Sequence, residues 1–181
     1  LIAYWTAYLK SHYPSAFMAA LLTSEATKNK VERLGFVIEE AKRMGLEILP
    51  PDINSSFLEF GVILSSPKQV SFGLGAIKNV GEKAAQAIVQ ERQAQGAYKD
   101  LTDFLSRVKP EFLNKKVIES LAKAGALDKV ASRTRVLAGI DEIIKFVQSK
   151  GKSKLTSQSS LFGQQEIADL KLKLPEVEEV E

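Results

Sequence analysis

The stretch Phe72-Gly73-Leu74-Gly75-Ala76-Ile77-Lys78-Asn79-Val80-Gly81-Glu82-Lys83-Ala84-Ala85-Gln86-Ala87-Ile88 constrains this chain more than any other. It predicts a short helix, a tight turn at Asn79-Val80-Gly81 and a second helix beginning near Glu82. Asn and Gly accept positive φ most readily and so let a chain reverse sharply. Ala84, Ala85 and Ala87 are small enough for two helices to lie close. At the start of the second helix the first backbone N–H groups lack intrahelical partners and the positive dipole end faces outward. Such an end binds an anion, and Lys78 and Lys83 flank it with charge. The competing reading is an ordinary turn between two core helices.

Charge is unevenly spread. Six Lys and Arg face seven Asp and Glu over residues 1–67, seventeen face nine over 68–154, and two face six over 155–181. A basic middle between near-neutral and acidic ends suits a polyanionic partner for the middle. With 181 residues, 45% hydrophobic and 26% charged, the composition is that of a globular protein. No apolar run approaches the roughly 20 residues that span a bilayer, and Leu1-Ile2-Ala3-Tyr4-Trp5 lacks the basic start of a signal peptide. The chain does not begin with Met, which points to a piece of something longer. The absence of cysteine excludes disulfides and thiolate metal sites and agrees with a cytoplasmic location. The single His12 cannot build a histidine metal site.

Apolar periodicity predicts helices over about 2–12, 14–26 and 30–44, with Pro14 in a first turn and Gly45 as a left-handed C-cap. From Ser55 the period changes, and two short strands are expected at about 57–63 and 69–72, forming a small β-hairpin. Beyond the opening stretch, helices are expected over about 82–95, 98–108 and 115–123, the last capped by Asn114, and over 133–148. Ser149 to Lys154 has the composition of a linker. The pair of helices at 98–123 repeats the layout of the opening stretch without its Gly-containing turn.

The pattern apolar-x-Asn-Val-Gly-x-Lys-x-Ala around Gly81 resembles a helix-hairpin-helix motif, which grips DNA phosphates without reading bases. Such units often come in pairs, one functional and one degenerate. The resemblance implies a phosphate contact at Lys78, Asn79, Val80, Gly81, Glu82 and Lys83, assisted by Lys115 and Lys116.

Several other stretches are similar to the bacterial replicative DNA polymerase III alpha subunit family. They are Tyr4-Trp5-Thr6-Ala7-Tyr8-Leu9-Lys10 with Tyr13-Pro14, Phe17-Met18-Ala19-Ala20-Leu21-Leu22, Arg43 through Asn54, Phe72 through Gly81, and Glu119 through Asp128. The family usually has Gln where this chain has Trp5. Gln158-Ser159-Ser160-Leu161-Phe162 looks like that family's pentapeptide for the beta sliding clamp, with Leu161 and Phe162 filling an apolar cleft and Gln158 bonding at its rim. The resemblance implies a parent DNA polymerase using Mg²⁺, with palm carboxylates lying before residue 1. It also implies double-stranded DNA, the clamp and other holoenzyme subunits as partners.

No catalytic or metal constellation is expected in this segment. Asp52, Asp100, Asp103, Asp128 and Asp141 match no acidic motif and read as caps and surface charge. Gly73-Leu74-Gly75 is too short for a dinucleotide fingerprint. The expected organisation is mainly α: the end of a fingers region at 1–54, a β-hairpin connector at 55–73, a tandem helix-hairpin-helix unit at 74–130, a helix at 131–148 and a mobile tail at 149–181. A free-standing helix-hairpin-helix DNA-binding or repair protein, or a protein-interaction scaffold, is the alternative.

Overall fold

The structure is a computed structural model that describes residues 1–28 and 31–156. The chain forms two compact units that meet in sequence between Ile77 and Lys78, just before the turn at Asn79-Val80-Gly81.

The first unit holds helices α1 (Ile2–His12), α2 (Pro14–Thr27) and α3 (Val31–Arg43) and strands β1 (Glu47–Leu49), β2 (Gly61–Val62) and β3 (Gln69–Ser71). Tyr13 leaves helical geometry and Pro14 restarts the helix at the position where its missing N–H costs nothing. Met18, Leu22, Val37, Ala41, Phe60 and Val70 form the core between α2, α3 and the sheet. Gly45, at φ 77°, ends α3 as expected: its N–H bonds Lys42 O and the Leu46 N–H reaches back to Ala41 O. Lys30, the expected start of the third helix, lies outside the described residues.

The expected hairpin is present as antiparallel β2 and β3, paired Gly61 to Ser71 and Val62 to Val70. Its first strand is shorter than 57–63, and the sheet has a third member: β1 pairs parallel with β3, giving the order β1-β3-β2. Residues 57–60 serve another purpose. Phe57 O and Leu58 O accept the N–H groups of Leu74 and Gly75, at 2.9 Å each. A Cβ on Gly73 would lie 2.6 Å from the Glu59 carbonyl carbon, so only glycine allows this backbone approach. Gly73 is therefore a packing glycine, and the expected short helix before the turn is present as a single 3-10 turn, Leu74–Ala76, which contains Gly75.

Two carboxylates are buried in this unit, and both have partners. Glu25 is 3% exposed and pairs with Lys28 Nζ at 2.9 Å and Arg33 Nε at 3.1 Å. Asp52, expected at the surface, is instead a buried turn former that accepts from the Asn54 N–H at 2.8 Å and Ser55 Oγ at 2.9 Å.

The second unit holds α4 (Glu82–Gln95), α5 (Leu101–Arg107), α6 (Lys115–Lys123), α7 (Arg133–Ala138) and α8 (Ile140–Thr156). Ile88, Phe104, Leu105, Ile118, Leu121, Leu127 and Ile143 are fully buried within it. On α6, Val117, Ile118, Leu121 and Ala122 fall on one face, the spacing that buries a single helical stripe. The helix α5 begins only at Leu101, because the Asp100 carboxylate caps it by accepting from the Asp103 N–H at 2.8 Å.

Two expectations fail at the end of the chain. The single helix over 133–148 is broken at Gly139 (φ −94°, ψ 16°), where glycine has the weakest helical preference after proline. The break resets the helical phase, so Ile143 and Phe146 turn inward ahead of Ile144 and Leu137. Ser149 to Lys154 is no linker, since α8 continues through it to Thr156. Part of the reason is Lys150, whose Nζ donates to Ser106 Oγ at 2.6 Å and sits 5.0 Å from the Phe146 ring centroid.

Arg107 joins α4 to α5. Its guanidinium donates to Glu91 O at 3.1 Å, Gly96 O at 2.8 Å, Ala97 O at 3.3 Å and Asp103 Oδ2 at 3.1 Å. It lies 4.4 Å from the Tyr98 ring centroid. Nε faces Glu91 Oε1 at 3.5 Å, an ion pair without hydrogen-bond alignment. Tyr98 in turn donates to Ile88 O at 2.8 Å and meets Phe104 edge-on.

Burial pushes the Tyr98 phenol up from 10.0 to about 12, against the pull of the Arg107 charge. A raised folded pKa means that the neutral phenol's stabilisation is complete below pH 10.0 and lost as pH rises through about 12. Absorbance titration at 295 nm is expected to show a late tyrosine ionisation near pH 12. Tyr98→Phe removes that late step, and an unchanged profile in the variant would contradict the assignment.

Candidate nucleic-acid interface

The interface is built on the N-terminus of α4. Asn79 has φ 65° and is the only non-glycine residue with positive φ among the described residues. Gly81, which sequence reasoning offered as an equal partner in the reversal, has an ordinary φ of −66° and stands in the N-cap position. The reversal is thus made by Asn79, while Gly81 supplies an end with no side chain. Its carbonyl accepts the Ala85 N–H at 3.0 Å, so the helix is in register from its first turn. No side chain caps α4, and the N–H groups of Gly81, Glu82 and Lys83 are left without a main-chain acceptor.

The second helix pair shows the contrast. At the start of α6 the Asn114 carboxamide accepts from the Val117 N–H at 3.0 Å and closes the end that α4 leaves open. The layout repeats, but the chemistry does not. One N-terminus offers N–H groups outward; the other has already spent them internally.

The residues expected at the site divide into three groups. Lys78, Gly81, Glu82, Lys83 and Lys116 are exposed, and none of the three lysines has an ion-pair partner among the described residues. Val80 is 3% exposed, so its side chain anchors the turn and only its main chain is open to a ligand. Asn79 and Lys115 are engaged elsewhere. The Asn79 amide donates to Ser120 Oγ at 3.2 Å, and Lys115 Nζ pairs with Asp141 Oδ1 at 2.7 Å. The hydrogen bond to Asp141 holds the Lys115 pKa above its ordinary value, and the same bond holds that of Asp141 below. Lys116 lies one helical turn before Ser120 on the same face of α6, which brings it to the turn at Asn79. Lys115 is thus held by Asp141, while Lys116 has no ion-pair partner among the described residues.

Ser120 escaped sequence reasoning. Its partner is 41 residues away, and no local pattern marks a helical serine as an acceptor for a distant turn. A cleft of about 380 Å³ also opens beside Lys83, between α4 and residues 107–112, with Gln86, Gln90, Lys109 and Phe112 in its walls. Gln158, Ser159, Ser160, Leu161 and Phe162 lie outside the described residues. Among the described residues no group of three or more His, Cys, Asp or Glu is placed to hold a metal ion, and no helix is long and apolar enough to cross a membrane.

A turn of this shape between helices, open at its N–H groups and flanked by lysine, defines a class. Residues 45–137 match the helix-hairpin-helix motif family, and the chain belongs to that family. Its relatives are more particular. The chain is 42% identical over 158 residues to DNA polymerase III subunit alpha of Thermus aquaticus, which covers 86% of this chain and 12% of the relative. It is 42% identical over 170 residues to the subunit of the same name from Borreliella burgdorferi, covering 93% of this chain and 14% of the relative. With that of Xylella fastidiosa it shares 39% identity over 182 residues, 99% of this chain and 15% of the relative. The chain therefore spans about one-seventh of the length of the curated relatives it matches.

Gly81 needs no glycine for its own fold: its φ is ordinary and an added Cβ would meet nothing within 4 Å. Gly81→Asn would place a better N-cap there, and thermal melting is expected to show stability unchanged or raised by a few tenths of a kcal/mol. A loss of more than about 1 kcal/mol would mean that the glycine serves the fold after all.

Proposed function

We propose that this chain is a non-catalytic segment of a replicative DNA polymerase alpha subunit that holds duplex DNA by its phosphates without reading sequence. The observation that carries this reading is the uncapped N-terminus of α4 behind Gly81, with Lys78, Lys83 and Lys116 exposed around it. A phosphate oxygen brought to that end meets several N–H donors and the positive pole of the helix. Gly81 then keeps the approach clear for the ligand, a reason for glycine that the protein's own conformation does not supply. Glu82 contributes through its N–H, and its carboxylate opposes the ligand. Contacts of this kind fix the position of a duplex and carry no sequence information. The parent's polymerase activity, its Mg²⁺ ions and its cytoplasmic setting belong to this reading as well.

Three lysines engaged with phosphate give an expected slope of log affinity against log salt of about −3. Fluorescence anisotropy with duplexes of unrelated sequence is expected to give that slope and equal affinities. Gly81→Asn and Lys83→Glu should each weaken binding by about tenfold, roughly 1.4 kcal/mol, with folding intact. Little salt dependence, or full binding by both variants, would overturn the reading.

The second part of the proposal concerns Gln158-Ser159-Ser160-Leu161-Phe162, which we assign to docking on a sliding clamp, with other holoenzyme subunits as further partners of the parent. Two weak contacts on one chain reinforce each other through effective concentration. Purified clamp should be retained by the wild-type chain and lost with Leu161→Ala/Phe162→Ala. Equal retention by both would refute docking.

A further inference from the structure

Asn79 holds the least favourable backbone conformation of the interface, and no neighbour in sequence holds it there. Its φ of 65° is accessible to asparagine but lies above the extended and right-handed basins by an amount that a single hydrogen bond can decide. Its side-chain amide makes one bond, donated to Ser120 Oγ at 3.2 Å. Ser120 sits on α6, which is fixed by the buried Val117, Ile118, Leu121 and Ala122 on its opposite face and by the Asn114 cap at its start. An exposed turn is thus tied to one of the most firmly packed helices of the second unit. Rotation of Asn79 out of positive φ would swing the chain that leads into Gly81 and redirect the N–H groups of Gly81, Glu82 and Lys83.

We infer that Ser120 is a positioning residue for the phosphate-gripping turn: its hydroxyl holds the Asn79 amide, and through it the direction in which the N–H groups of α4 point. The inference rests on the DNA reading of that turn and adds to it a residue on a different helix. It also gives the second helix pair a task. Its own N-terminus is closed by Asn114, and it acts on DNA through the first pair, by setting the turn from behind and by adding Lys116.

The test is a coupled one on the full chain, reading anisotropy with a duplex of arbitrary sequence alongside thermal melting. Ser120→Ala is expected to weaken binding about threefold, the scale of one net hydrogen bond, with a melting shift of no more than a few degrees. Ser120→Thr, which keeps the hydroxyl, should bind as the wild type does. In an Asn79→Gly background, where no amide remains to be held, Ser120→Ala should cause no further loss. Wild-type affinity in Ser120→Ala overturns the inference, as does an undiminished threefold loss in the glycine background. If the wild-type chain itself binds duplex without salt dependence, the DNA reading fails. The ¹H–¹⁵N spectrum of Ser120→Ala then decides the positioning alone: shifted Asn79, Gly81, Glu82 and Lys83 amides uphold it, and unmoved ones overturn it.

Discussion

The guanidinium of Arg107 is the interaction on which the second unit depends. A helix that presents its N-terminus to a ligand must be held at its other end, where Arg92 O accepts the Gly96 N–H and the carbonyls beyond it run out of helical partners. Arg107 takes up Glu91 O and Gly96 O from that end, adds Ala97 O and lies over Tyr98. Five donors in a rigid plane suit this role, whereas a lysine could satisfy fewer carbonyls and could not stack. The charge is nearly buried, and it is tolerable because Asp103 and Glu91 lie beside it. Asp103 shows the balance. Burial alone would raise its pKa, but the Lys99 N–H and the Arg107 hydrogen bond and charge together hold it below the usual carboxylate value.

Much of this was legible in the sequence, for local reasons. Asn79, Gly45 and Gly96 announce breaks because few residues accept positive φ, and all three have it. Asn114 announces a helix start because its short acceptor reaches back to the main chain. The helical stripe on α6 follows from spacing alone. What stayed hidden depends on partners distant in sequence. Three residues at β1 are too few to show a period, and they become a strand only through pairing with Gln69–Ser71. Gly73 fits a short helix as well as a packing contact until Glu59 is seen beside it. Lys115 and Lys116 look equivalent until Asp141 selects one.

The two helix pairs show how one layout takes on two tasks. An N-terminus is a fixed set of donors, and a cap residue decides whether the protein or a ligand receives them. With Asn114 the donors go inward and α6 gains a firm start; with Gly81 they stay outward and α4 gives up that support. The cost of leaving α4 uncapped is offset at its far end by Arg107 and along its length by Ala84, Ala85, Ile88 and Val89 packed in the core.

The length of α8 changes how the end of the chain is to be thought of. A helix that reaches Thr156 converts what read as a loose run from Ser149 into a rod of about 1.5 Å per residue. Only Ser157 then separates its last residue from Gln158. The far end of α8 is therefore set by rod geometry, not by the square-root reach of a coil. Adding or removing a residue within α8 would turn its last residue by about 100° as well as moving it, so this helix has a phase as well as a length.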